Sequence, residues 1–260
     1  MGTKKSVIVE NSQPEVTVQR AELLKVPIDI LAPDQLSDVI YDLLKDKKEH
    51  NIVLLSLWDL LRARRNNEYR SYILNASLVI PISKSLVNGL KFLTGKTAHR
   101  YMPFDFIISV LTILENREFT CYMLGGKRKI LLKAEQNIRQ TFPKLRVVGR
   151  FPGYFKKHEE STIIKAIKKS SPSLLLAGRG IRGKERWIHK NNSILGEGLR
   201  LWCSDIFHVF AEKKKHPSRA SFNAGLEWVG FCFQNPLRFF RIFSYIRYKF
   251  LLLFYKLFRK

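Results

Sequence analysis

The sequence is short of cysteine and short of acid. Its three cysteines, Cys121, Cys203 and Cys232, are scattered, with no CxxC pair and no Cys/His spacing of a zinc site. That excludes a disulfide framework and a structural zinc centre, and fits a reducing compartment. The six histidines do not pair at metal-ligand spacing either. Asp and Glu number 22 against 46 Lys and Arg, a formal charge of +24, so the partner is polyanionic: nucleic acid, anionic lipid or a phosphorylated substrate. No run of about 20 uncharged apolar residues is present, which excludes an ordinary membrane-spanning helix. The opening MGTKKSVIVENSQPE lacks the apolar segment of a secretory signal, while Gly2 and Ser6 fit a short, common myristoylation pattern. GxSxG, HExxH, Walker A and GxGxxG are all missing, so none of the usual short catalytic signatures applies.

A chain of 260 residues that is 45% hydrophobic has enough apolar material for a sizeable core. Residues 1–25 carry few structural signals and read as a lead-in. From Val26 onward short apolar runs alternate with amphipathic stretches. KVPIDIL, NIVLLSL, SLVIPI, TCYMLGG, KLRVVGRF and SLLLAGRG read as strands. PDQLSDVIYDLLKDKKE, WDLLRARRNNEYRSYILNA, SLVNGLKFLTG, FDFIISVLTILENR, KRKILLKAEQNIRQTF and HEESTIIKAIKKSS read as helices. This alternation predicts an α/β domain over residues 26–210, with a mostly parallel, Rossmann-like sheet flanked by helices. Ligands in such sheets bind beyond the carboxyl ends of the strands, which singles out the loops after Leu124, Val148 and Ala177. The last of these, GRGIRGKERWI, combines three glycines with Arg179, Arg182, Lys184 and Arg186. It is either a phosphate cradle or a solvated basic turn.

Residues 211–260 differ in kind. Eleven Lys and Arg face two acids, Glu212 and Glu227, and LRFFRIFSYIRYKFLLLFYKLFRK interleaves aromatics with basic residues. Arg241, Arg247, Lys249 and Lys256 interrupt the run too often for a spanning helix. A basic amphipathic helix lying on an anionic membrane fits better, with Arg238, Arg241, Arg247, Lys249 and Lys256 as its membrane contacts. The alternative is a helix docked on the core with its charges solvated. Nucleic-acid binding is not expected, because aromatics dominate the stretch and no recognition module is visible.

Four segments in order, YMLGGKRKILLKAEQNI, FPKLRVVGRFPGYFKKHEE, LLLAGRGIRGKERWI and AGLEWVGFCFQNPLRFFR, resemble the bacterial WecG/TagA/CpsF glycosyltransferase family, with similarity from about Val26 to about Arg241. The resemblance rests most on Leu124-Gly125-Gly126, Gly153-Tyr154-Phe155, Gly178 and Gly180 with Glu185 and Trp187, and Gly225-Leu226-Glu227-Trp228. It implies inverting, metal-independent transfer of an N-acetylhexosamine-type sugar from a UDP donor to a polyprenyl-diphosphate-linked acceptor. The implied location is the cytoplasmic membrane face, with no cofactor and with a basic C-terminal appendage meeting the membrane. The donor and its diphosphate would meet Gly125, Gly126, Gly153, Tyr154, Gly178, Gly180, Lys184 and Glu185.

The chain departs from the family where chemistry is expected. Sugar transfer needs a carboxylate to take the acceptor proton and cations to hold the leaving diphosphate. The position the resemblance gives to the base is Ile82, followed by Ser83. Leu54 and Ser56 stand for a Thr and Asn pair, Arg182 and Lys184 for Pro and Gln, and His208 for an aspartate. Arg100 is retained, and Asp105 is the leading substitute base, ahead of Asp59 and Asp205. As a helix-start residue, Asp105 has a structural reading as well. Two functions follow: a diverged membrane-associated glycosyltransferase of surface-polysaccharide assembly, or a catalytically degenerate homologue binding membrane, a protein partner or a second copy.

Overall fold

The computed structural model describes residues 18–225 and 241–258. The expectations for Gly2, Ser6, Leu226, Glu227, Trp228, Cys232, Arg238 and the side chain of Arg241 lie outside the described residues.

The first ordered element falls where the sequence gives few signals. Strand β1 (Gln19–Leu23) pairs antiparallel with β2 (Val26–Ile30). The turn between them uses Leu24 and Lys25 at φ 53° and 67°, a left-handed pair usually filled by Asn or Gly. That missing turn signal hides the hairpin in the sequence. The hairpin is pinned by Asp29, which is 2% exposed. Its carboxylate accepts from Arg20 Nε at 2.6 Å and Nη2 at 2.8 Å, and from the Val79 amide at 2.6 Å. A buried carboxylate persists only with such a full set of charge-assisted donors. Val79 lies on β4 (Leu78–Pro81), the edge of the main sheet, so the Asp29 side chain ties the hairpin to that edge.

The main sheet has six parallel strands, in the order β4, β3 (Glu49–Leu55), β8 (Gly198–Trp202), β7 (Leu174–Ala177), β5 (Thr120–Leu124) and β6 (Arg146–Phe151). Strands such as LVIP and LLLA are buried throughout because helices cover both faces. One core cluster lies under α1 (Leu36–Lys45), α5 (Pro103–Asn116), α6 (Arg128–Thr141) and α9 (Ile206–Phe210). A second joins the hairpin to α2 (Leu57–Ala63), α3 (Asn67–Leu74) and α4 (Lys84–Thr94). A third underlies α7 (Glu160–Ser170) and α8 (Glu185–Leu195). The chain then forms α10 (Arg219–Ala224) and α11 (Arg241–Phe258).

Two local features differ from the expectation. The single helix read over residues 58–76 is two, because the Asn66 side chain accepts from the Tyr69 amide at 2.8 Å and starts a new helix there. Strand β8, central in the sheet, has no counterpart in the sequence reading because Arg200 interrupts its apolar run. Arg200 is 2% exposed, and its guanidinium donates to the carbonyls of Asn192, Gly196 and Gly198. It thereby covers the carboxyl end of α8, where a cation is favourable.

Helix α11 docks through one stripe. Tyr248 is fully buried, its hydroxyl donates to the Ser85 carbonyl at 2.8 Å, and its ring tip lies where a side chain at Gly89 would project. Leu252 packs beside it. The docked-helix alternative therefore holds for this stripe, while Phe243, Phe250, Leu253, Phe254 and Leu257 face outward. Gly89→Ala is expected to displace α11 and cost about 1–3 kcal/mol by overpacking, read as a lower melting temperature and faster protease cleavage in α11.

Candidate functional site

The carboxyl ends of β3, β4 and β8 open into a cavity of about 700 Å³, the position where open parallel sheets bind ligands. Its floor comes from the residues that end those strands: Ser56, Leu57 and Trp58 after β3, Ile82 and Ser83 after β4, Cys203 to Ile206 after β8. The start of α5 forms one side, with Met102, Pro103 and Phe104. Segment 214–217 crosses the mouth, where His216 stacks on Phe104 with ring centroids 4.8 Å apart. Ile242, Tyr245 and Lys249 of α11 close the remaining side.

The position of the expected base lies in this cavity without a carboxylate. The Ile82 amide donates to the Leu55 carbonyl at 2.9 Å, continuing the β3–β4 pairing, and its side chain lines the floor. Beside it the hydroxyls are engaged. Ser83 Oγ accepts from the Leu57 amide at 3.2 Å, and Ser56 Oγ donates to Asp59 at 2.5 Å in the capping box that starts α2. Leu54 packs at the border of the first core cluster.

Arg100 acts as a clamp. Its Nε donates to the Ile82 carbonyl at 3.1 Å and its Nη1 to the Phe222 carbonyl at 2.6 Å, with the guanidinium 3.7 Å from the centre of the Phe222 ring. Lys84 does the same for the next turn, donating to the carbonyls of Asn223 and Ala224. Together they hold the carboxyl end of α10 over the cavity rim, where cations are favoured. Gly225, at φ 77°, caps that helix.

Asp105, the leading substitute base in the sequence, is not brought into the cavity. It sits in the first turn of α5, is 43% exposed and faces Arg219 at 3.6 Å. Helical geometry turns it away from the wall that Phe104 supplies. The carboxylate among the described lining residues is Asp205, which pairs with Lys214 Nζ at 2.7 Å and Arg179 Nη1 at 3.4 Å. Burial works to raise Asp205, but the hydrogen bond and charge of Lys214, with the charges of Arg179 and His208, outweigh it and hold the carboxyl below the usual carboxylate range.

The glycine corner is built for close backbone approach. The amides of Gly125, Gly126, Gly153, Tyr154 and Gly178 donate to the carbonyls of Phe151, Arg179, Gly126, Gly180 and Leu124 at 2.6–2.9 Å. A side chain at Gly125, whose φ is 134°, would meet the Gly178 backbone at 2.8 Å. The cationic side chains at this corner, Arg179, Arg182 and Lys184, are all exposed. Tyr154 holds a left-handed φ of 62° and keeps its ring 55% exposed over Gly180. Glu185 points the other way, into the contact between α2 and α8. Burial raises its pKa, the nearby Asp59 adds to that, and Arg62 stands 3.6 Å away. Trp187 is core, its Nε1 donating to Glu160 at 2.6 Å. The ring Nδ1 of His208 is buried with no hydrogen-bond partner among the described residues.

Of the basic tail residues, Lys249 lines the cavity, Arg247 is exposed, and Lys256 donates to the Phe92 carbonyl at 3.1 Å. The outward face of α11 exposes Phe243, Ile246, Phe250, Leu253, Phe254 and Leu257. Among the described residues no helix is long and apolar enough to cross a membrane, and no group of three or more His, Cys, Asp or Glu is arranged to hold a metal ion. Sequence reasoning did not find Lys84, Lys214, Lys215, Phe104 or His216 as site residues. Only their adjacency in the folded chain marks them, apart from the KKKH run, whose charge was visible.

The family model described as "Glycosyl transferase WecG/TagA/CpsF family" matches residues 21–260. Among curated proteins, the N-acetylglucosaminyldiphosphoundecaprenol N-acetyl-beta-D-mannosaminyltransferase of Bacillus spizizenii is 22% identical over 186 residues, 72% of this chain and 72% of that relative. The Staphylococcus aureus protein of the same description is 22% identical over 167 residues. That match covers 64% of this chain and 65% of the relative.

Proposed function

Since the chain belongs to the WecG/TagA/CpsF glycosyl transferase family, we propose that it transfers an N-acetylhexosamine from a UDP donor to a polyprenyl-diphosphate-linked acceptor at the cytoplasmic membrane surface. The acceptor class follows the two relatives, whose descriptions name a diphosphoundecaprenol substrate. The observation that carries the reading is the cavity itself, a half-open space at the strand ends whose described lining residues include the carboxylate of Asp205 and the lysines Lys84, Lys214, Lys215 and Lys249.

In this reading the donor's diphosphate lies between Arg179 and Lys214, beside the exposed ring of Tyr154. The two cations that now hold Asp205 shift onto the diphosphate, which frees the carboxylate and raises its basicity. The acceptor hydroxyl attacks the anomeric carbon as the bond to the diphosphate oxygen breaks. Its proton passes to Asp205, and UDP leaves with its new charge held by the two cations. The lysines and arginines supply the counter-charge, so transfer needs no resident metal and persists in EDTA. Membrane association is carried by the exposed apolar face of α11.

Calorimetric titration with UDP and UDP-N-acetylhexosamines in the presence of anionic lipid tests this reading. Micromolar binding, weakened at least about 10-fold by Lys214→Ala, as expected for a lost charge-assisted contact, is the predicted result. No binding to any of them would remove the donor. A second reading, a non-catalytic homologue, is favoured by Ile82 at the base position and by the ion pairs on Asp205. It predicts donor binding without turnover, or no donor binding at all.

A further inference from the structure

The carboxylate of Glu185 lies outside the cavity lining. Glu185 opens α8, its side chain is 14% exposed, and it faces Arg62 Nη1 of α2 at 3.6 Å. A carboxylate taken this far out of water is held there at a cost that its partner must offset. Its neighbours form a path to the cavity. The Arg62 guanidinium lies 3.9 Å from the centre of the Tyr69 ring, and the Tyr69 hydroxyl donates to Asp59 at 3.0 Å. Asp59 in turn accepts from the amide and the hydroxyl of Ser56, which lines the cavity floor. The start of α8 is thus tied through α2 to the end of β3. A second tie, from Arg186 to Glu68 at 3.2 Å, fastens the same turn to α3.

Directly before Glu185 the backbone is strained. Lys184 takes φ 55° and ψ −126°, a conformation that is costly for a residue with a side chain and persists only where the surroundings hold it. Lys184 ends segment 178–184, whose other end is fixed by β7. Within the segment, the Arg179 carbonyl accepts from the Gly126 amide at 2.6 Å and the Gly180 carbonyl from the Tyr154 amide at 2.7 Å. The Arg179 side chain reaches Asp205 of the cavity at 3.4 Å. We propose that Glu185 is a positioning residue: by anchoring the start of α8 on Arg62 it fixes segment 178–184 and so sets Arg179 for the donor's diphosphate. The diphosphate's part rests on the function proposed above, whereas the anchor does not. The glutamate that the resemblance places against the donor thus acts through the loop in front of it.

The test compares Glu185→Ala and Glu185→Gln in the full chain by UDP titration, donor kinetics and amide hydrogen exchange. The alanine variant is expected to bind UDP at least about 10-fold more weakly, as for a displaced binding group. Its KM for the donor should rise by the same factor while kcat and the acceptor KM change less than about 3-fold, the pattern of lost uniform binding. The amides of Gly126 and Tyr154 should exchange at least about 10-fold faster, because their acceptors lie in the released segment. Glutamine fills the same space and its side-chain oxygen can accept from Arg62, so it is expected to restore UDP affinity, donor KM and exchange toward the unaltered chain. Adding Arg62→Ala to Glu185→Ala should weaken UDP no further, since the two changes remove one shared contact. Unchanged UDP affinity together with unchanged exchange in Glu185→Ala overturns the proposal. Equal loss in the alanine and glutamine variants, with faster exchange throughout β5 and β7, would mean a general loss of packing and overturns it too. If the unaltered chain binds no UDP, the transferase reading falls, and faster exchange confined to Gly126 and Tyr154 in Glu185→Ala still supports the anchor.

Discussion

Asp205→Asn is expected to lower kcat/KM for sugar transfer by at least about 100-fold, the loss typical of a missing general base, while the fold is retained. The carboxylate lies at the end of β8 in the cavity and is replaced by an isosteric amide, so far-ultraviolet dichroism should not change. Asp105→Asn serves as the contrast. That side chain is 43% exposed and outside the cavity, and its replacement is expected to change the rate less than about 3-fold, as for surface positions generally. The pH profile adds a second readout. The free-enzyme pKa of Asp205 lies below the usual carboxylate value, so the base is ionised at neutral pH and kcat/KM should fall only as the solution is acidified through that lowered pKa. A profile that falls on the acid side near neutrality would assign the base to another group. Equal losses in the Asp205 and Asp105 variants would point to a general structural effect.

Phe250→Glu combined with Phe254→Glu is expected to detach the protein from anionic vesicles. Both rings are more than half exposed on the outward side of α11, opposite the buried Tyr248 and Leu252. Removing two inserted aromatic side chains costs about 2–4 kcal/mol of membrane binding, roughly a 30- to 1,000-fold loss in partitioning. The melting temperature should hold, since neither residue contributes to the buried stripe. Binding by the unaltered chain should also weaken with salt, because Arg247 and the other basic side chains act through a screened surface potential. Vesicle sedimentation of both proteins at two salt concentrations checks the two statements together. Full retention of the double variant would contradict the role of this face.

The fold was legible where the pattern was local. Runs such as NIVLL, TCYML and LLLA, each followed by an amphipathic stretch, announce a parallel sheet with helices on both faces. The glycines at 125, 153 and 178 mark the strand ends where backbones come close. Strand β8 was not legible, because Arg200 breaks an otherwise apolar run and is satisfied only by the carbonyls at the end of α8. The β1–β2 hairpin was hidden by a left-handed turn made from Leu24 and Lys25. The site was legible only in part. Motif order located the strand ends and, through the resemblance, put Ile82 at the position where a carboxylate is expected. It did not show that the glycine amides are engaged with backbone carbonyls. Nor did it reveal that Arg100 and Lys84 hold α10, or that Asp205 is the carboxylate facing the cavity. Those facts depend on residues distant in sequence: Arg100 and Phe222 lie 122 positions apart, and Lys84 and Asn223 lie 139 apart.

The most direct test of the account is a transfer assay with the full chain on anionic vesicles. The substrates are a radiolabelled UDP-N-acetylhexosamine and a polyprenyl-diphosphate-linked N-acetylglucosamine. The account predicts a labelled lipid product one N-acetylhexosamine larger than the acceptor, formed in EDTA and lost in the Asp205→Asn variant. Tight binding of both substrates with no labelled lipid at any protein concentration would contradict it, and would leave the cavity as a binding site for a lipid-linked sugar that other enzymes extend.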